Sequence, residues 1–178
     1  DGTREYGTGL PEYAVSVALV EDGEPVVGVV AHPPTGLVYR AAAGGGSFLE
    51  DRPLRVGTAR ELARARVAAS RSSFQKGHLA DLVAAAGEVV PLGSIAWRLA
   101  LVAAGEYDLT LSVHGLHEWD YCGGHLVLAE AGGTVLLPDG SRPKYNRRDP
   151  HIGGGLLGLP SASDGLAIEL RKRFRPAE

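Results

Sequence analysis

Three consecutive residues, Asp1-Gly2-Thr3, bring together a carboxylate, a glycine and a hydroxyl. The carboxylate can ligate a hard cation, the glycine lets backbone N–H groups come close to an anion, and the hydroxyl can position a water. Asp-Gly is also a favoured turn pair, so the triplet has a plain reading beside the chemical one. A second carboxylate lies far along the chain. Asp120 sits at the start of a stretch, Trp119 to Ala131, that reads as a helix and continues Tyr121-Cys122-Gly123-Gly124. A carboxylate in a first helical turn is stabilised as the anion by the helix dipole, which suits a metal ligand and equally suits an N-cap. The small residues beside it let such a helix pack closely against a neighbour.

Other residues offer partial chemistry. Gly93-Ser94 opens an apolar helix after a strand, which is either anion-binding geometry or an ordinary glycine turn with a serine cap. Ser70-Arg71-Ser72 ends a strand, where Arg71 could fork onto a ligand phosphate or face solvent. His114, His117, His125 and Cys122 match no zinc-finger spacing. Arg142, Lys144, Arg147 and Arg148, offset by Asp139 and Asp149, read as a solvated basic loop. Gly44-Gly45-Gly46 lacks the lysine and the following helix of a phosphate loop, so it reads as a turn.

The elements that must position these residues follow from the pattern. Ala14 to Val20, Pro25 to Val30, Leu37 to Arg40 and a short strand through Phe48 are separated by turn residues, which predicts an antiparallel meander. From Val67 onward the reading changes to strand (Val67-Ala68-Ala69), helix (Lys76 to Gly87), strand (Val89-Val90), helix (Ser94 to Ala104), strand (Leu109 to Val113) and helix (Trp119 to Ala131). A strand from Thr134 to Leu137, another from Gly155 to Leu159 and a helix from about Ala162 to Phe174 complete it. The expected fold class is α/β, an α+β layered sandwich with an antiparallel sheet lobe over 1–66 and a layered α/β lobe over 67–178.

At 178 residues and 44% hydrophobic, the chain can bury a core as one domain or two joined lobes. A net charge of −3 argues against a nucleic-acid polymer or a basic membrane patch. No apolar run reaches the roughly 18 residues of a membrane span. Cys122 is the single cysteine, which excludes an internal disulfide and fits a reducing, cytoplasmic compartment. There is no methionine in the sequence, so an N-terminally truncated chain is expected.

Taken together, these pieces resemble the inositol monophosphatase superfamily of magnesium-dependent phosphatases. Asp1-Gly2-Thr3 is similar to the end of its Asp-Pro-x-Asp-Gly-Thr motif. Gly28-Val29-Val30, Pro33 or Pro34 and the strand reaching Tyr39 resemble its central hairpin, and Gly45-Gly46-Ser47-Phe48 with Pro53-Leu54-Arg55-Val56 the stretch after it. The segment from Gly93-Ser94 through Ala103-Ala104-Gly105-Glu106-Tyr107-Asp108 to Trp119-Asp120 and Glu130-Ala131-Gly132-Gly133 carries the most specific likeness. Arg4-Glu5-Tyr6, Ser70-Arg71-Ser72, Glu118-Trp119-Asp120 and Lys144-Tyr145-Asn146 with Asp149-Pro150 look more like the 3′(2′),5′-bisphosphate nucleotidases of actinobacterial type. Two positions depart from that branch: Ser112-Val113-His114 stands where an arginine is common, and Arg98 or Trp97 where a lysine is.

The resemblance implies a hydrolase that removes the 3′-phosphate of adenosine 3′,5′-bisphosphate, with inositol-1-phosphate or fructose 1,6-bisphosphate as alternative substrates. It implies two or three Mg²⁺ ions held in part by Asp1 and Asp120, and phosphate contacts from Gly2 and Thr3, with the Thr3 hydroxyl orienting the nucleophile. Ser94, Arg98, Arg71 and Glu118 would surround the rest of a small-molecule phosphate ester. A homodimer is expected. The N-terminal helical part of the family fold and two further carboxylates are expected to lie upstream, so this chain alone should be nearly inactive. A non-catalytic phosphate- or nucleotide-binding protein is the reading from a different class.

Overall fold

In the computed structural model, which describes residues 1–161 and 163–173, the first β-rich stretch forms one antiparallel sheet. Strands β1 (Val15–Glu21), β2 (Glu24–His32), β3 (Leu37–Ala42), β4 (Gly46–Leu49) and β5 (Arg52–Pro53) lie side by side in chain order. The expected meander is therefore present, with Arg52–Pro53 as a short fifth member. Its outer face is apolar and open: Val15, Val17, Leu19, Val27 and Val38 are all exposed.

The second sheet begins at Arg66. It contains β6 (Arg66–Ser70), β7 (Glu88–Leu92), β8 (Leu109–Ser112), β10 (Gly133–Leu136) and β12 (Leu156–Pro160), in the order β10-β12-β8-β6-β7. β6 runs parallel to β7 and β8, while β12 runs antiparallel to β8 and β10. A two-stranded ladder of β9 (Leu116–His117) and β11 (His151–Ile152) sits beside it.

Two helices fill the space between the sheets. α4 (Ile95–Ala103) and α5 (Glu118–Glu130) pack on each other; α5 also lies on β1, β2, β3 and β10, and α4 on β6, β8 and β12. Burial of Leu99, Tyr121 and Leu128 between them removes large apolar surfaces from water, each worth about 1.5–3 kcal/mol. Gly123 allows this closeness, because a Cβ there would stand 2.7 Å from the carbonyl oxygen of Val17. A helix without such a gap could not approach β1 and β2. On the far side of the second sheet, Leu79 and Leu82 join Leu166 and Leu170 in a separate core. Those leucines come from the segment around α3 (Ala80–Ala85) and from α6 (Asp164–Arg173). The first sheet ends at Pro53 and the second opens at Arg66, while α4 and α5 serve both sheets.

The helices differ from the sequence reading at two places. Of the helix predicted over Lys76 to Gly87 only α3 is helical; a separate short helix, α2 (Arg71–Gln75), precedes it, and Gly77 with a φ of 75° stands between the two. The segment after Gly2, for which no element was expected, forms the single-turn helix α1 (Thr3–Gly7). Ala162 and Phe174, the expected ends of the last helix, lie outside the described residues. Among the described residues no helix is long and apolar enough to cross a membrane.

Candidate active cleft

Asp1, Gly2, Thr3, Arg71, Ser94, Arg98 and Asp120 line one open cleft of about 510 Å³, together with Arg4, Glu5, Ser72, His114 and Trp119. Asp1 and Asp120 are far apart in sequence and line the same cleft, Asp1 bonded to the start of α4 and Asp120 in the first turn of α5, the helix packed against it.

The Asp1 carboxylate is fixed by α4. Its Oδ2 accepts from the Ser94 hydroxyl and from Ala96 N, each at 2.8 Å. Gly2 follows with a φ of 85° and precedes α1. Asp120 lies in the first turn of α5, where its Oδ2 accepts from His117 N at 3.1 Å. Asp120 is therefore not the N-cap of α5: His117 holds that position, and Asp120, three residues on, reaches back to its N–H as the acidic half of a capping box. The hydrogen bonds into Asp1 and Asp120 use Oδ2 in both cases.

The donor set fits a hard cation in kind: two carboxylates on one cleft, with hydroxyl and backbone oxygens near them. Among the described residues no group of three or more His, Cys, Asp or Glu side chains could hold a metal. Mg²⁺ is usually bound through one or two carboxylates plus waters and substrate phosphate, so the pair fits that part of an Mg²⁺ shell. The discounted zinc arrangement of His114, His117, His125 and Cys122 does not assemble.

The other expected residues have different situations. Arg71 lies at the edge of the cleft, but its fork points at Glu12, to which Nε donates at 2.6 Å and Nη2 also donates, while Nη2 donates to Pro91 O at 2.7 Å. This contact raises the Arg71 pKa. Arg98 is buried, and its Nη1 donates to Thr110 Oγ1 at 2.9 Å and to Leu111 O at 2.8 Å, pinning α4 to β8. Burial pulls its pKa down to about 9, with Glu5 opposing the fall. Glu118 does not line the cleft. Its carboxylate accepts from Asn146 N at 2.8 Å and Arg147 Nε at 2.7 Å, holding the 138–150 loop against α5, so the geometry gives it a framework role. Lys144 likewise pairs with Glu24, consistent with a basic loop that serves the fold.

Sequence reasoning missed Glu12 and the histidine pair at the rim. His78 Nδ1 and His114 Nε2 are 3.0 Å apart, and burial, His78 and Lys76 all lower the His114 pKa. Nothing in the local sequence of either group signals a partner that is far away in the chain.

The comparisons agree with this architecture. The profile of the inositol monophosphatase family matches residues 1–173. An inositol-1-monophosphatase of Rhizobium meliloti (strain 1021) is 40% identical over 147 residues, covering 79% of this chain and 55% of that protein. One from Mycobacterium leprae (strain TN) is 34% identical over 184 residues, covering 97% of this chain and 60% of that protein. The chain thus spans between 55% and 60% of the length of these two curated relatives. Among solved structures, inositol monophosphatase from Anabaena (Nostoc) sp. PCC 7120 superposes with a TM-score of 0.82 at 30% identity, covering 97% of this chain and 69% of that one. Mycobacterium tuberculosis SuhB does so at 0.80 and 32%, with the same coverage. The family match runs through both aspartates of the cleft and nearly the whole described fold: the chain belongs to the inositol monophosphatase family.

Proposed function

We propose that this cleft is part of the active site of a magnesium-dependent phosphomonoesterase acting on a small phosphate ester. The observation that carries the reading is that Asp1 and Asp120 line one cleft, with Gly2 and Thr3 beside Asp1 in it. Asp1 and Asp120 would hold Mg²⁺, which when bound neutralises phosphate charge and makes bound water a better nucleophile. Gly2 and Thr3 then offer backbone N–H groups to the phosphate oxygens, and the Thr3 hydroxyl orients the attacking water. Trp119, 61% exposed, offers an aromatic face beside Asp120 for the rest of the substrate.

For the substrate, adenosine 3′,5′-bisphosphate is the first choice, because Arg4 lines the same cleft as Asp1 and could meet a second phosphate, whereas the Arg71 fork is already held by Glu12. Inositol-1-phosphate is the second reading, favoured by what the relatives are called. Parallel phosphate-release assays on these two esters and fructose 1,6-bisphosphate separate the readings, and a tenfold or greater preference for inositol-1-phosphate would overturn the nucleotidase choice. The two carboxylates leave much of an Mg²⁺ shell to other ligands, so the 178-residue chain alone is expected to turn over slowly. Fast Mg²⁺-dependent turnover by the isolated chain would contradict this. A homodimer in a cytoplasmic setting belongs to the same proposal; sedimentation equilibrium and fractionation of the source cells are its tests.

A further inference from the structure

Glu12 lies in the loop between α1 and β1 and is buried. Its carboxylate accepts from Gly93 N at 2.8 Å and from the Arg71 fork. Its carbonyl oxygen lies so close to Gly2 and Gly93 that a Cβ at either would come within 2.7 Å and 2.5 Å of it. One residue therefore touches the Asp1-Gly2 turn, the start of α2 and the turn into α4. The next residue after Gly93 is Ser94, whose φ of 44° is a conformation that a side chain rarely adopts. Such a conformation persists only where the surroundings fix it on both sides. Here Glu12 holds the Gly93 nitrogen on one side, and Ser94 Oγ is held by Asp1 Oδ2 and Trp97 N on the other.

A buried carboxylate bonded to a guanidinium is weak support for stability, since desolvation consumes most of the Coulomb gain. Its value at this place is geometric. Charge-assisted hydrogen bonds are short and directional, and here they fix a turn that in turn fixes another carboxylate. We propose that Glu12 is a positioning residue for the Asp1 carboxylate, acting through the Gly93–Ser94 turn and linking Asp1 to Arg71. The metal-binding consequence rests on the phosphatase reading; the positioning itself does not.

The test uses the purified 178-residue chain, with Mn²⁺ as the probe for the hard-cation site and amide hydrogen exchange as a metal-free readout. Glu12→Gln is expected to weaken Mn²⁺ binding about tenfold, the usual size of an effect from a group that orients a ligand. Ser94→Ala is expected to weaken it similarly, and the double variant to be little worse than either alone, because both act through one turn. Without metal, exchange at the Ala96 amide should speed up about tenfold in Glu12→Gln, as expected for losing about one hydrogen bond of local stability. If Glu12→Gln does not fold, Arg71→Lys keeps the charge but replaces the fork with a single contact, and should shift both readouts in the same direction by a smaller factor.

Fully additive Mn²⁺ effects, or an unchanged Ala96 amide, would overturn the positioning role and leave the phosphatase reading standing. A wild-type chain that binds no Mn²⁺, with Ala96 exchange accelerated in Glu12→Gln, would remove support from the metal site and keep the positioning role.

Discussion

The Ser94 hydroxyl donates to Asp1 Oδ2 at 2.8 Å and accepts from Trp97 N at 3.1 Å, so one oxygen caps α4 and grips the carboxylate of the Asp-Gly-Thr triplet. The two readings of Gly93-Ser94, helix cap and anion site, describe the same contact from two sides. The anion at the start of α4 is the chain's own Asp1, with Ala96 N as its second donor.

This double use predicts how substitutions at 94 will rank. Ser94→Ala loses the cap and keeps the awkward φ of 44°, so it should lower unfolding free energy by about 1–2 kcal/mol. Ser94→Gly loses the same hydroxyl but tolerates the backbone, and should fall between Ser94→Ala and wild type. Denaturant titration checks the order; a glycine variant less stable than the alanine variant would show that the φ value carries no strain.

Gly2 should be intolerant of even one carbon. Its φ is 85°, and a Cβ would meet Glu12 O at 2.7 Å and the Tyr13 Cα at 2.8 Å. Gly2→Ala is expected to cost about 2–3 kcal/mol. Gly7, the last residue of α1, has nothing within 4 Å of a built Cβ, so Gly7→Ala should be neutral or stabilising by up to about 1 kcal/mol. Equal losses at both positions in thermal unfolding would show that the close packing around Gly2 does not matter.

The sheet elements and the two central helices were legible because their signals are local. β1 to β3 are set off by Glu21-Asp22-Gly23-Glu24 and by the Pro33-Pro34 turn, and α4 and α5 each end at glycines. The seven expected residues that line the cleft were legible in type, and family likeness put them on one site. What could not be read is what each side chain does with its atoms. Arg98 and Glu118 were expected at the ligand, yet Arg98 bonds Thr110 and Leu111 under the sheet and Glu118 bonds the loop at Asn146 and Arg147. Those partners lie 12 to 29 residues away in sequence, so no short-range pattern reveals them. Glu12 was invisible for the same reason, with Arg71 59 positions away and Gly93 81 positions away. α1 escaped because one turn is too short to show a period.

Cys122 should be chemically silent in the folded protein. It is buried on α5 and its thiol is pushed up to about 12, first by burial and then by Glu118, so almost no thiolate exists near neutral pH. An aromatic disulfide reagent should label the native chain at least about a hundredfold more slowly than the chain in denaturant. Comparable rates would mean that α5 opens readily from the first sheet.

His125 gives the fold a defined weakness in mild acid. Its Nδ1 is hydrogen-bonded to the Tyr145 hydroxyl at 2.6 Å inside the core, and burial lowers its pKa from 6.5 to about 4, with Glu24 opposing and Arg142 assisting the fall. Between those values the unfolded chain takes up a proton that the folded chain refuses. Stability from this group is therefore complete above about pH 6.5, falls as pH drops through the window, and levels off below about pH 4. At pH 5 the loss should be about 2 kcal/mol relative to neutral pH. His32 and His114, also lowered, pull in the same direction, so the difference from a variant isolates His125. His125→Gln retains a partner for Tyr145 and cannot titrate; it should be less stable than wild type at pH 7.5 but lose less between pH 7.5 and pH 5. Parallel pH profiles for the two proteins, measured by urea unfolding, would mean that the buried imidazole is not the group that responds to acid.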